Sequence, residues 1–366
     1  MTDTVSLPVA PSAPPAARPL LDVPADELRA WLAERGQPPM RVGQVRRWLL
    51  ERRATTFDAM TDLPLGLRAD LAAAFAPLGT AVDKHLRAAD GTHKLLLRLT
   101  DGRQVECVLI QDAGRATACI STQVGCGMGC VFCASGLNGL ERNLTSGEIL
   151  EQLVRLRNLT DPAAVGDRAP RLTNVVVMGM GEPLANLDNL LAALEIAGQK
   201  GSLGIGARHV TISTVGLPAK MRRLAEVDKQ YNLAVSLHAP NDELRTRIVP
   251  TNTGTGIADI LAAADHYFEV SGRRVTYEYV VLGRLNDQPP HARQLAGLLR
   301  GRRAHVNLIP WNDVPGLPFR SPHPDDLAGL LDTLRKAGVS VTVRQRRGAE
   351  IDAACGQLRR ETVASG

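Results

Sequence analysis

From Leu20 to about Pro77, apolar residues recur at helical spacing. Leu28, Trp31 and Leu32 share one face, as do Val45, Trp48 and Leu49, then Leu67, Leu71 and Phe75. Gly36, Pro38 and Pro39 break the first helix from the second. This pattern predicts a small helical module over residues 20–78. Beyond it the period falls toward two. Lys94–Thr100 and Gln104–Ile110 flank the turn Asp101–Gly102, which predicts a β-hairpin in a linker over residues 79–112. From about Ala116, seven short apolar runs alternate with helical stretches: Ala118–Ser121, Asn174–Met178, Val210–Ser213, Leu233–Leu237, Val275–Leu282, Val306–Ile309 and Val339–Val343. Most spacings leave room for a crossover helix, so the fold class is α/β, with a parallel sheet open or closed into a full or partial barrel. Four runs lead into GMGEP, STVG, SLHAP and IPWN. Ligands of parallel α/β folds bind at the carboxyl ends of the strands, so these four segments are expected to line one site.

Composition narrows the class. Residues 1–19 are rich in Pro and Ala and lack periodicity, which predicts a disordered tail. No run of about 18 apolar residues occurs, so no membrane span is expected. No basic segment followed by an apolar run opens the chain, so a cytoplasmic location is expected. Six cysteines in 366 residues are too sparse for a disulfide scaffold. The formal charge is +5, carried by 37 Arg and only 6 Lys. Arginine suits bidentate phosphate contacts, so RNA is a candidate partner, and a GC-rich genome accounts for the same excess. The second helix carries Arg41, Arg46, Arg47, Arg52 and Arg53, either a phosphate-tracking face or a solvated one.

The strongest chemical signal is Cys126-Gly-Met-Gly-Cys130-Val-Phe-Cys133, just after the first run of the barrel. Three thiolates within eight residues can converge on one metal centre. Structural zinc takes four protein ligands. Three thiolates instead suit a four-iron cluster with one iron left open, and Gly125, Gly127 and Gly129 permit the tight backbone that wraps it. A zinc site completed by a distant cysteine, within a non-catalytic RNA-binding protein, is the rival reading.

The spacing CxxxCxxC, with an aromatic before the last cysteine, resembles the radical S-adenosylmethionine (SAM) superfamily. The resemblance implies a partial (βα)6 barrel of the TIM type over residues 113–345, with a 4Fe-4S cluster on Cys126, Cys130 and Cys133. It also implies SAM contacts from Gly181 and Glu182 of GMGEP, from Ser213, from Ser236, Leu237 and His238, and from Asn312. Together with RATACISTQVGC, GMGEPL, SLHAP, NLIPWN and IDAACGQL, the chain from Leu20 to Leu358 resembles the RlmN family of dual-specificity ribosomal and transfer RNA adenine methyltransferases. Residues 20–78 are then a helix-hairpin-helix-like RNA-binding domain, and residues 346–366 a C-terminal loop carrying Cys355.

The resemblance implies methylation of carbon 2 of adenine 2503 in 23S rRNA and of adenine 37 in certain tRNAs. Two SAM molecules are used per turnover. Cys355 is the methyl carrier, Cys119 the second catalytic thiol and Glu106 the proton acceptor. The two thiols end as a transient disulfide. An electron donor such as flavodoxin or ferredoxin and a monomeric chain are implied too. A related family methylates carbon 8 of the same rRNA adenine, and spacing alone does not separate the two. Cys107 matches no required cysteine and reads as structural. Arg344, Arg346 and Arg347 are candidate phosphate contacts.

Overall fold

The computed structural model describes residues 17–112, 114–160, 171–312, 314 and 316–358. Three helices build the N-terminal module: α1 (Ala25–Ala33), α2 (Met40–Leu50) and α3 (Leu65–Ala74). Their apolar stripes meet, and Leu28, Leu49 and Leu71 are wholly buried. Each such side chain contributes about 1.5–3 kcal/mol by leaving water. Most of the predicted tail lies outside the described residues. Its last residues do not belong to a tail: β1 (Arg18–Pro19) pairs in parallel with β2 (Phe75–Ala76) and closes the module.

The predicted hairpin is larger than its two strands and is not a separate linker. β3 (Ala81–Arg87), β4 (His93–Arg98) and β5 (Gln104–Asp112) run antiparallel, and β5 continues antiparallel onto β6 (Arg115–Cys119). They form one ten-stranded sheet with the barrel strands. All seven predicted runs are strands: β6, β9 (Asn174–Val177), β10 (Val210–Thr214), β11 (Asn232–Ser236), β12 (Val275–Val281), β13 (Ala304–Pro310) and β14 (Ser340–Val343). They pair in parallel in that order. The crossovers carry α4 (Ser146–Leu159), α5 (Leu187–Gly198), α6 (Pro218–Ala225), α7 (Asp242–Ile248) with α8 (Ile257–Ser271), α9 (Pro289–Leu299) and α10 (Pro324–Lys336). Six strand–helix units and a final edge strand thus make the partial barrel. A further hairpin, β7 (Gln123–Gly125) with β8 (Leu140–Asn143), brackets the cysteine loop.

The module docks on α4. The Asp22 carboxylate accepts from the Gly147 N–H at 3.0 Å in the first turn of α4, where a negative charge suits the helix dipole. At the other end, buried Arg157 donates to the Leu49 carbonyl at 3.0 Å and to the Leu50 carbonyl, capping α2 from outside. Arg53 donates back to the Thr160 carbonyl at 2.7 Å.

Bonds within the module engage much of the basic face of α2 and the residues after it. Arg46 donates to the Val23 carbonyl at 2.8 Å, Arg47 lies 3.7 Å from Glu51, and Arg52 lies 2.9 Å from Asp62 and over the Trp48 ring. Arg41 donates to Gln44 at 2.7 Å. Replacing Arg157 with Met leaves two helix-end carbonyls buried without their donor. It is expected to lower stability by about 3 kcal/mol, read as a lower denaturant midpoint.

Candidate active site

The cysteine loop leaves the barrel between β7 and β8. Gly125 (φ +77°) begins it, where an added Cβ would sit 2.0 Å from the Gly139 carbonyl oxygen. The Cys126 N–H donates to that same oxygen at 2.9 Å. Cys126, Cys130 and Cys133 then line one pocket. Burial pushes the Cys126 thiol up to about 11, and raises Cys130 and Cys133 as well. Bound metal reverses that preference, because a coordinating thiol is deprotonated outright. Among the described residues no three such groups converge as ligands of a single ion. Three thiols in one pocket match a four-iron cluster with one iron left open, whereas structural zinc takes four protein ligands.

The strand ends form the rest of the pocket. Gly181, Glu182, Ser213, Ser236, His238 and Asn312 all line it. Leu237, expected there, does not: it is fully buried in the core behind the wall. Gly181 (φ +102°) lies so close to β7 that a Cβ would meet the Gln123 side chain at 2.6 Å. The Glu182 carboxylate is engaged by the fold itself. Its two oxygens accept from the Leu184 N–H at 3.0 Å and the Val215 N–H at 2.8 Å. Burial nonetheless raises its pKa to about 7. It therefore joins the GMGEP and STVG loops before it meets any ligand. His238 holds positive φ, and its Nδ1 accepts from the Val280 N–H at 3.1 Å. Burial lowers its pKa to about 3, so the ring is neutral with its proton on Nε2. Among the described residues the buried Asn312 Oδ1 has no hydrogen-bond partner, and its Nδ2 donates to the Cys355 carbonyl at 3.0 Å.

The C-terminal segment brings Cys355 to this mouth. Ala134, just after Cys133, donates its N–H to the Gly356 carbonyl at 2.8 Å, and the Ser135 hydroxyl donates to the Leu358 carbonyl at 2.6 Å. Cys355 lines both the main pocket and a smaller one that also holds Cys119, Met178 and Arg344. Cys119 and Cys355 are both free thiols. Burial, and then the neighbouring Cys355, push the Cys119 thiol up to about 12, with Arg344 pulling the other way. Glu106 lines neither pocket. It is buried on β5, with its carboxylate 2.9 Å from Lys94. Cys107 is fully buried, and burial raises its pKa.

One supporting residue here, Arg245, carries no motif. Buried Arg245 donates to the Leu237 carbonyl at 3.1 Å, the Ser236 carbonyl at 3.3 Å and the Val215 carbonyl, joining two strand ends behind Cys130. Trp311 of IPWN donates its indole N–H to the Phe132 carbonyl at 3.1 Å. Arg344, expected at phosphate, faces inward instead, with Nη1 3.9 Å from Glu278 and 3.5 Å from the Met178 sulfur. The Cys355 sulfur beside it holds the guanidinium above its ordinary value. Arg346 donates to the Trp311 carbonyl at 2.6 Å, and Arg347 lies 3.2 Å from Asp112.

A three-thiol loop at the mouth of a parallel partial barrel is the arrangement of a radical SAM methyltransferase. Residues 120–296 match the radical SAM superfamily, and residues 19–76 match a ribosomal RNA large subunit methyltransferase N-terminal domain. A crystal structure of a radical SAM methyltransferase from Sphaerobacter thermophilus superposes with a TM-score of 0.89 at 43% identity, covering 93% of this chain and 99% of that one. A Rhodopirellula baltica protein named "Probable dual-specificity RNA methyltransferase RlmN" is 52% identical, over 98% of this chain and 97% of its own. A Bacillus subtilis protein of the same name is 43% identical over 91% of each. The chain belongs to the RlmN family of dual-specificity RNA methyltransferases. A 4Fe-4S cluster and SAM are accordingly its cofactors.

The glycines of the loop separate backbone need from tolerance. Gly125→Ala is expected to abolish iron loading, because its Cβ would meet a backbone oxygen at 2.0 Å. In Gly127→Ala the nearest atom is 3.5 Å away, and iron loading is expected to persist. Iron and sulfide per chain after anaerobic reconstitution give the measurement.

Proposed function

We propose that the chain methylates carbon 2 of an unpaired adenine in ribosomal and transfer RNA, with Cys355 as methyl carrier and Cys119 as resolving thiol. One observation carries this reading: two thiols far apart in the chain line one small pocket that opens onto the cluster thiols. Carbon 2 of adenine is electron-poor, so direct displacement on SAM by that carbon is closed, and a protein-bound methyl is a chemical way round. Cys126, Cys130 and Cys133 would hold the cluster, which would supply one-electron reduction of SAM and so a source of radical chemistry.

The chain's own residues do the rest. Gly181 leaves room for a close backbone approach, and Ser213, Ser236, His238 and Asn312 offer polar groups to SAM. The neutral His238 offers a donor at Nε2, and the unpartnered Asn312 Oδ1 offers an acceptor. Glu182 holds two of these loops in register. Arg344 sets a fixed positive charge beside the Cys355 and Cys119 sulfurs. Loss of a hydrogen atom from the Cys355 methyl group lets its carbon add to carbon 2 of the adenine, and loss of the carbon 2 proton and one electron leaves the RNA joined to Cys355 through a methylene.

Cys119 must lose its proton before it can attack the Cys355 sulfur, since burial holds it as a thiol. Glu106 is the acceptor in this reading. Val108 stands opposite Cys119, and Glu106 lies two residues along the same face of β5, about 7 Å away along the strand. Attack breaks the bond between the Cys355 sulfur and the methylene, the departing carbon takes up a proton to become the methyl group, and the Cys119–Cys355 disulfide that remains is reduced by an external dithiol through exchange. The target adenine must be splayed from its helix, because carbon 2 is inaccessible in a base pair. A flavodoxin- or ferredoxin-type donor supplies electrons, and the chain works as a monomer.

Cys119→Ala tests this reading. The variant is expected to methylate Cys355 and add to the adenine, then stall as protein covalently joined to RNA. A nuclease-sensitive shifted band on a denaturing gel, absent when Cys355 is also replaced, is the expected result. Free protein with methylated RNA would overturn the resolving role. Nucleoside mass spectrometry of the wild-type product is expected to give 2-methyladenosine; 8-methyladenosine would overturn the regiochemistry.

A further inference from the structure

Lys94 and Glu106 form an ion pair inside the protein. β4 and β5 place Lys94 opposite Val108 and Leu96 opposite Glu106, so the pair are diagonal neighbours on one face of the sheet. Their charged atoms are 2.9 Å apart, with only 9% and 6% of the side chains exposed. Cys119 projects from that same face, one strand further on. The Lys94 ammonium makes a second bond: it donates at 3.2 Å to the carbonyl of Asp352, shortly before Cys355 in the chain. One cation thus touches the carboxylate on β5 and the segment that carries the C-terminal thiol. A buried ion pair is a poor device for stability alone, since apolar residues of equal volume serve a sheet as well. An apolar pair cannot hold a carboxylate and a carbonyl to one point.

We propose that Lys94 is a positioning residue that ties the Glu106 carboxylate and the Cys355 segment together, so that base and methyl carrier keep their places relative to Cys119. The proposal rests on the roles given above to Glu106 and Cys355. Other bonds hold the segment at its flanks. Asp90 accepts from the Gly348 N–H at 3.0 Å, Asn312 donates to the Cys355 carbonyl at 3.0 Å, and Ser135 donates to the Leu358 carbonyl at 2.6 Å. Loss of Lys94 therefore frees the stretch around Asp352 and leaves both ends attached.

The test compares Lys94→Met, Glu106→Gln and the double variant as full-length, cluster-loaded enzymes. Amide exchange is followed over residues 349–356, alongside RNA methylation. Lys94→Met is expected to exchange about 10-fold faster in that stretch, with unchanged iron content. Its RNA methylation is expected to fall about 100-fold, in the range seen when a supporting contact of a reacting group is lost. Glu106→Gln is expected to lose methylation while keeping slow exchange. The double variant leaves no carboxylate without a counter-charge, so it folds even where Lys94→Met does not. It is expected to exchange fast, because Asp352 still lacks its donor. Wild-type exchange in the double variant would show that Lys94 only neutralises Glu106, and would overturn the proposal. So would unchanged exchange in Lys94→Met. Full methylation by Glu106→Gln would overturn the base role of Glu106 instead, with the exchange result still deciding the tie.

Discussion

Every loop that lines the pocket buries backbone N–H and C=O groups away from water, and each such group must find a partner. The parallel sheet cannot supply them, because its ladders stop where the loops begin. A small set of buried amides, one carboxylate and one guanidinium does so. Gln152 accepts from the Ser121 N–H at 2.8 Å and donates to the Ser121 carbonyl at 2.9 Å. Gln123 accepts from the Glu182 N–H at 2.8 Å, and Asn186 donates to the Thr122 and Leu144 carbonyls, both at 2.8 Å. Asn286 bridges the His238 and Val280 carbonyls at 2.8 and 2.7 Å. Arg245 and Glu182 complete the ring. These bonds are the reason that loops from separate strands can meet tightly enough to form one site.

The same burial separates the two outer thiols. Cys119 sits on a strand, 8% exposed, and burial pushes its thiol up to about 12, whereas Cys355 sits on a half-buried segment at the pocket mouth. Arg344 stands beside both sulfurs, so one fixed cation is shared by the pair.

The sequence was a good guide wherever the signal was local. The seven apolar runs each contain a strand because the apolar residues of parallel strands between helices are buried, and the three cysteines share a pocket because they share a loop. What it hid depends on register and on long-range packing. β3 reads as Ala-Val-Asp-Lys-His-Leu-Arg, with little alternation, since it is a sheet edge and largely unburied. Lys94 and Glu106 are charges in the middle of hairpin strands, and only the pairing of β4 with β5 makes them neighbours. Leu237 looked like part of the site because it lies between Ser236 and His238, yet strand alternation turns it into the core. Arg245 stands in a short helix with no motif around it, and nothing local marks its guanidinium as buried.

The arginine excess divides along the same line. An RNA partner was one explanation and codon bias the other, but the structure adds a third. Arg157, Arg245 and Arg344 are internal or half-buried, and each satisfies groups on separate elements. Burial lowers Arg157 and Arg245 to about 10, so both remain charged near neutrality. A lysine could not replace them: its ammonium is a point charge, whereas the guanidinium offers five donors in a rigid fork. Arg41, Arg46, Arg47 and Arg52 of the accessory module are likewise engaged by its own carbonyls, carboxylates and amides, and Arg53 by the Thr160 carbonyl after α4. The net charge of +5 therefore overstates the charge that faces a nucleic acid. Recognition of RNA by this chain must rest on fewer, better placed cations than the composition implies.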